Sequence, residues 1–153
     1  MIRITEAQIG DLEAILRLQY AAYQSEALLH GDFTIQPLTQ TLDETIGEYH
    51  KSLVLKAVQN TEIIGSVRGR LEGNTAYIGK LMVSPEHQGQ GLGKKLLAAI
   101  EQEFPGRRFE LFTSSKSERN LHIYEVAGYK CFRKTMGDTG IEFVYLEKYG
   151  GRK

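Results

Sequence analysis

From Ile2 to Thr5 apolar and polar residues alternate, and apolar residues then recur at Ile9, Leu12, Ile15 and Leu16, with Tyr20 and Tyr23 in the same register. Alternation marks a strand and three-to-four spacing marks a helix, so a short strand and a first helix open the chain. Residues 24–40 keep neither period and contain Gly31 and Pro37. They read as a loop or a broken helical stretch. Helical spacing returns from Thr39 to Tyr49, with Leu42 and Ile46 on one face.

Three apolar runs follow, Leu53–Gln59, Ile63–Leu71 and Ala76–Val83. Gln59-Asn60-Thr61 and Glu72-Gly73-Asn74 separate them, and such short polar turns predict an antiparallel succession. Gly79, inside the third run, signals a bulge or a close backbone approach. Leu92, Leu96, Leu97, Ile100 and Phe104 make one helical stripe, which Pro105-Gly106 stops. Phe109–Thr113 is a strand, and Ser117–Ala127 is a helix closed by Gly128. Tyr129–Arg133 and Ile141–Glu147 are the last two strands, joined through Gly137-Asp138-Thr139-Gly140. Residues 82–113 then form a strand–helix–strand crossover, the connection that a parallel pair requires. The fold class is α/β (α+β): a central mixed, mostly antiparallel sheet of about seven strands, flanked by about four helices.

The stretch Gln88-Gly89-Gln90-Gly91-Leu92-Gly93-Lys94 lies between the third strand of this run and the helix after it. Its glycines occupy alternate positions, which lets backbone N–H groups gather round an anion where a helix dipole also favours negative charge. Pyrophosphate is the natural guest. A nucleotide-binding P-loop is excluded, because Gln88 stands where its first glycine is needed and Lys95 follows Lys94. The dinucleotide fingerprint is excluded too: counted from Gly89 its last glycine would be Lys94, and counted from Gly91 it would be Leu96. A plain strand-to-helix turn needs one or two glycines rather than three.

Composition narrows the reading. The 153 residues carry equal numbers of acidic and basic side chains, and the length prior predicts one domain over residues 1–153. Basic residues occur as isolated pairs such as Lys94-Lys95 and Arg107-Arg108, so no nucleic-acid partner is expected. The one cysteine, Cys131, rules out an intrachain disulfide and has no CxxC or histidine pattern around it. It reads as a small apolar residue in a late strand, and no metal is expected. No leader-like apolar run opens the chain, and no stretch nears the ~18 apolar residues of a membrane span. The expectation is a soluble, cytoplasmic protein.

Two stretches together resemble a known family. Gln88, Gly91 and Gly93, preceded by Leu81-Met82-Val83 and Pro85, resemble motif A of the GNAT family of N-acetyltransferases. Tyr124, Gly128 and Tyr129 resemble that family's second motif, with Ile123 in place of leucine, Ser117 in place of asparagine and Asn120 in place of alanine. The resemblance implies an acyl-CoA N-acyltransferase fold and an enzyme that uses acetyl-CoA as cosubstrate without a metal. It implies a primary amine acceptor on a small molecule or a protein, attacking the thioester directly in a ternary complex. Leu81, Met82 and Val83 would contact pantetheine and the thioester carbonyl through backbone groups. Gln88, Gly89, Gln90, Gly91, Leu92, Gly93 and Lys94 would hold the pyrophosphate. Ser117 would stand at the asparagine's pantetheine contact, or cap its helix through the hydroxyl. Tyr124 would protonate the departing thiolate, its reference pKa of ~10 lying just above the ~8.5 of a thiol.

Other matters stay open in the sequence. Glu26, His30, Tyr77, Glu110 and His122 are candidate general bases, with a water relay as the alternative; His122, two residues from Tyr124, should point elsewhere on its helix. His87 is either a phosphate contact or a solvated loop residue. Glu26, Asp32, Asp43, Glu44 and Glu48 outnumber the lone nearby cation Lys51, and an acidic wall there would favour a cationic acceptor. A homodimer is left open. The competing reading is a non-catalytic acyl-CoA sensor with the same fold.

Overall fold

The computed structural model describes residues 1–137 and 140–150. The strands are β1 (Ile2–Glu6), β2 (Leu53–Gln59), β3 (Glu62–Glu72), β4 (Thr75–Val83), β5 (Arg108–Ser114), β6 (Lys130–Met136) and β7 (Glu142–Tyr149). They form a seven-stranded sheet in the order β1-β2-β3-β4-β5-β7-β6. The helices are α1 (Leu12–Ala22), α2 (Gln24–His30), α3 (Gln36–Thr39), α4 (Leu42–Tyr49), α5 (Leu92–Gln102) and α6 (Glu118–Val126), with short 3₁₀ turns at Ile9–Asp11 and Pro85–His87.

Every neighbouring pair is antiparallel except β4 and β5, which run parallel. That pairing covers only Thr75–Tyr77 against Arg108–Glu110. Further along, β4 carries a bulge: Arg68 lies opposite Gly79 and Ser66 opposite Met82, so β4 spends one residue more than β3. Lys80, with φ of 51°, takes up the irregularity. A bulge bends its strand and raises its twist, and here it carries β4 away from β5. The bulge expected at Gly79 is present, but the close approach is not, because a Cβ on Gly79 would meet nothing within 4 Å.

The helices fill both faces of the sheet. Leu92, Leu96, Leu97 and Ile100 of α5 join Ile64, Val67, Ala76, Ile78, Phe109, Leu111 and Leu146 in the larger core. Each such side chain, fully buried, contributes about 1.5–3 kcal/mol. On the other face Leu12, Ile15 and Leu18 of α1 pack on Val54 and Met82. Helix α5 sits close because β3 offers glycines beneath it. A Cβ on Gly65 would lie 2.8 Å from Leu96 Cδ1, and one on Gly69 would lie 2.8 Å from Phe104 Cε2.

Six helical segments stand where about four were expected, because 24–40 folds more than its composition suggests. Gly31, at φ of 63°, closes α2 in the left-handed region, and Pro37 sits in the first turn of α3, where its missing N–H costs nothing. Ile9 is exposed in a 3₁₀ turn rather than part of the α1 stripe, since the Asp11 carboxylate accepts the Gln8 N–H and fixes a tight entry. Thr41 and Glu44 cap the start of α4 reciprocally. That start leaves Leu42 exposed and buries Thr45 instead. Cys131 lies in β6 but is exposed. Asp138 and Thr139 of the last connection fall outside the described residues.

Because a Cβ at position 65 would meet Leu96, Leu92 and the Met82 carbonyl at 2.8–3.3 Å, Gly65→Val should overpack the α5 contact. We expect a loss of about 1–3 kcal/mol in unfolding free energy, read as a lower midpoint in urea at unchanged m-value.

Candidate active site

The parting of β4 and β5 opens a cleft of about 840 Å³. Its floor is Leu81, Met82 and Val83 of β4; one wall is α2 with Tyr23, and the other is Lys116–Asn120 with His122 and Ile123. The loop Gln88–Gly89 and the start of α5, Gly91–Lys94, close one end. On one side the end of β4 pairs with β3, Val83 against Gly65 and Met82 against Ser66. On the side facing β5 it has no ladder partner past Tyr77. The backbone groups of Leu81–Val83 on that edge therefore have no strand partner.

The loop owes its shape to two of its glycines. Gly89 and Gly91 have φ of 80° and 82°, where L side chains are strained, and a Cβ on either would point into open space. Gly91 is the N-cap of α5 and offers no capping side chain. The first bond into the helix is Lys95 N–H to Gly91 O at 3.2 Å, so the N–H groups of the first turn lack helical partners. Gly93 differs: it is buried inside that turn, and a Cβ there would stand 3.2 Å from Ile123 Cδ1. Its small size brings α5 and α6 together rather than shaping the anion cradle. Gln90 does not line the cleft.

Gln88 works as a brace. Its amide donates to the Val83 carbonyl at 3.2 Å, and its carbonyl oxygen accepts from Arg119 of α6. Arg119, absent from the sequence-based candidates, thus joins Lys94 and Lys116 as a cation on the cleft wall. Only its place in the first turn after Ser117 signalled it. His87 is tied to Gln59 by a 3.1 Å hydrogen bond at its Nε2 and reaches the cleft from there.

Ser117 occupies the N-cap position of α6, but its hydroxyl caps nothing. It donates instead to Glu26 Oε1 at 2.5 Å, because α2 brings a carboxylate across the cleft within its reach. The expected cap is therefore replaced by a link between α2 and α6. Tyr124 lies behind the wall, 5% exposed, with no hydrogen bond to its hydroxyl among the described residues. Burial raises its pKa well above the usual tyrosine value, and the neighbouring Tyr23 and Glu26 raise it further. Tyr23, which faces the cleft, is pushed up to about 12 by burial and by Glu26, against the opposing pull of Arg68. Both hydroxyls stay protonated at neutral pH.

The other candidate bases separate cleanly. Glu26 and His122 line the cleft, so His122 does not point away as its spacing suggested. Tyr77 and Glu110 sit in the joined part of β4 and β5; Arg70 stacks over the Tyr77 ring, and Glu110 pairs with Arg108. His30 ends α2 outside the lining. The carboxylates of 24–50 do not make a continuous wall. Asp32 accepts from Thr34, Glu44 caps α4 and Glu48 pairs with Arg68 and Lys80; Asp43 lies outside the lining too, and of the five only Glu26 stands on the cleft.

No group of three or more His, Cys, Asp and Glu side chains suited to a metal occurs among the described residues. Nor is any described helix long and apolar enough to cross a membrane.

A strand parted from its parallel neighbour, with a glycine loop and a helix N-terminus at its end, can hold an extended chain that ends in an anion. The sequence matches the acetyltransferase (GNAT) domain family over residues 20–149, and the chain belongs to that family. Among solved structures it resembles the ribosomal-protein-S18-alanine N-acetyltransferase of Escherichia coli, with a TM-score of 0.82 at 16% identity over 100% of this chain and 96% of that one. It also resembles the PaiA N-acetyltransferase of Thermoplasma acidophilum in complex with coenzyme A, with a TM-score of 0.79 at 18% identity over 97% and 99% of the two chains. YncA of Salmonella typhimurium, solved with its cofactor acetyl-CoA, gives a TM-score of 0.78 at 18% identity over 100% and 96%. At these identities the likeness establishes the fold.

The Ser117–Glu26 bond is the one side-chain hydrogen bond that crosses the cleft from α2 to α6 among the described residues. Hydrogen bonds to charged groups contribute about 1.5–3 kcal/mol when well buried and less when solvated. Ser117→Ala should therefore raise amide exchange in α2 roughly threefold to tenfold while β3 and β4 stay protected. Unchanged exchange in Gln24–His30 would mean the bond does not hold α2 in place.

Proposed function

We propose that residues 1–153 form one acetyl-CoA-dependent N-acetyltransferase domain that acetylates a primary amine by direct attack in a ternary complex. The observation that carries this is the coincidence of two features at one end of the cleft. The unladdered edge of Leu81–Val83 meets the Gly89–Gly91 cradle at the N-terminus of an 11-residue helix. A pantetheine arm is an extended chain of amides, and an open strand edge offers it the hydrogen bonds that β5 gives up. A pyrophosphate needs convergent N–H donors and positive charge, which the first turn of α5, Lys94 and Arg119 supply. The residues present fit the group.

Acetyl-CoA, when bound, supplies an electrophilic acyl carbon and a sulfur leaving group. The chain's own part is to bind, orient and move protons. Backbone N–H groups of the β4 edge are the donors available to a carbonyl oxygen that gains negative charge. The amine must lose a proton to attack, and Glu26 and His122 are the candidate acceptors that face the cleft. The sulfur must gain a proton, and Tyr124 holds one at its hydroxyl throughout the neutral range. The same burial that weakens Tyr124 as an acid also destabilises a thiolate beside it, so the two proton affinities rise together. Ser117 and Glu26 stand where pantetheine would pass between α2 and α6, and cofactor entry would rearrange their bond.

Gly91→Val should weaken acetyl-CoA binding roughly fivefold to thirtyfold in calorimetry. A β-branched residue at φ of 82° costs about 1–2 kcal/mol in strain alone, and each 1.4 kcal/mol is roughly tenfold in affinity. Unaltered affinity in the folded variant would remove the loop from the cofactor site.

Tyr124→Phe should leave acetyl-CoA affinity nearly unchanged and lower kcat by roughly 10²–10⁴-fold, the usual range for a general acid. The assay is thiol release from CoA with a true acceptor under conditions where chemistry limits turnover. An undiminished rate, together with a slow Tyr23→Phe, would transfer the role to Tyr23. Absence of thiol release with every amine, at intact acetyl-CoA binding, would favour the sensor reading.

A further inference from the structure

Beneath α1 and α4, at the β4 bulge, lies a polar cluster that the cofactor does not need. Arg68 of β3, 6% exposed, stands opposite Gly79. Its Nη2 donates to Gln19 Oε1 at 3.2 Å, and it pairs with Glu48. Lys80 extends from the bulge into the same cluster, with Nζ 3.3 Å from Gln40 Oε1 and 3.9 Å from Glu48 Oε1. Gln19 Nε2 bridges to Gln40 Oε1 at 2.9 Å and to the Pro37 carbonyl at 2.8 Å. The Tyr20 hydroxyl donates to the Gln40 carbonyl at 2.5 Å.

A structural role accounts for part of this. The glutamines and Tyr20 tie α1 and the segment before α4 to one another. It does not account for the charge balance: two cations share one carboxylate, and that carboxylate is 41% exposed. Nor does it account for the donors. Arg68 Nε and the amide nitrogen of Gln40, itself 2% exposed, are buried and have no acceptor. Unmet buried donors cost about 1–3 kcal/mol each, and a buried pair of like charges gains nothing in stability over apolar packing. Burial, and after it Arg68, lowers the Lys80 pKa to about 8, so the charge is held against resistance. Excess positive charge with unspent N–H donors is the complement of an oxyacid.

Along β4 the cluster adjoins the cleft without lining it. Lys80 directly precedes Leu81 of the floor, and Tyr23 both lines the cleft and senses the charge of Arg68. Resting on the acetyltransferase reading above, we propose that Arg68, Lys80 and Gln40 form an oxyanion subsite for the acceptor's acid group. The acetylated amine then belongs to a small molecule that also carries a carboxylate or phosphonate, as an amino acid does. This reverses the cationic acceptor that the acidic residues of 24–50 suggested, since of those residues only Glu26 lines the cleft.

The test is a thiol-release assay with acetyl-CoA in which each L-amino acid is run beside its own carboxamide. An aminoalkylphosphonate separates phosphonate from carboxylate recognition, and spermidine serves as the cationic comparison. We expect the acid to exceed its amide at least tenfold in kcat/KM, mostly through KM. K80M should shrink that ratio towards one, and K80R, which keeps the charge, should retain most of it. Equal rates for acids and amides, spermidine as the best acceptor, or a ratio that survives K80M would overturn the subsite and leave the acetyltransferase reading standing. Calorimetry on the same preparations reports acetyl-CoA binding separately, and its absence in the unmodified protein would overturn both.

Discussion

The site depends on how briefly β4 and β5 stay paired. Parallel ladders are usually extended and buried on both faces, yet this one covers three residues of each strand. The one-residue bulge at Gly79–Lys80 is the cause, since it turns β4 while its antiparallel partner β3 holds the other edge. A sheet that lost the bulge would continue the ladder, fill the cleft with β5 and remove the free backbone edge. The glycine loop would then have a helix N-terminus but no channel leading from it. Chemistry in this protein begins with a deliberate loss of backbone hydrogen bonds, offset by two well-packed cores on either side.

Electrostatics divides the cleft into zones. At the loop end Lys94, Lys116 and Arg119 stand on the wall. The lining carboxylates are Glu26 and Glu118, and Tyr23 on the wall and Tyr124 behind it hold their protons firmly. Behind the floor, at the bulge, Arg68 and Lys80 share Glu48 in a drier setting.

Strands were the most legible part of the sequence, because β2, β3 and β4 are apolar runs joined by turns whose residues favour positive φ, Asn60 and Gly73. The α5 stripe and the glycine loop were legible for the same reason, periodicity and backbone freedom being local properties. Segment 24–40 was not. Helices as short as α2 and α3 are marginal alone and form because neighbours hold them, and no local period records that. Side-chain partnerships across distance were equally invisible. Nothing near Ser117 points to Glu26, ninety-one positions earlier, and Arg68 and Lys80 look like ordinary strand lysine and arginine until the bulge turns them inward. The carboxylates of 24–50 misled for a related reason: composition counts charges, while capping and pairing decide which of them face a ligand.

Gly93 has a consequence that reaches past this one molecule. Its missing side chain leaves Ile123 Cδ1 at van der Waals range from the α5 backbone, since a Cβ there would fall at 3.2 Å. One position on the anion-binding helix and one on the helix of Tyr124 thus share a single space. Residues coupled in this way do not vary independently. Across evolutionary time, a larger residue at 93 is tolerated only beside a smaller one at 123. The two sites should drift as a pair, carrying a record of helix spacing that neither position holds alone.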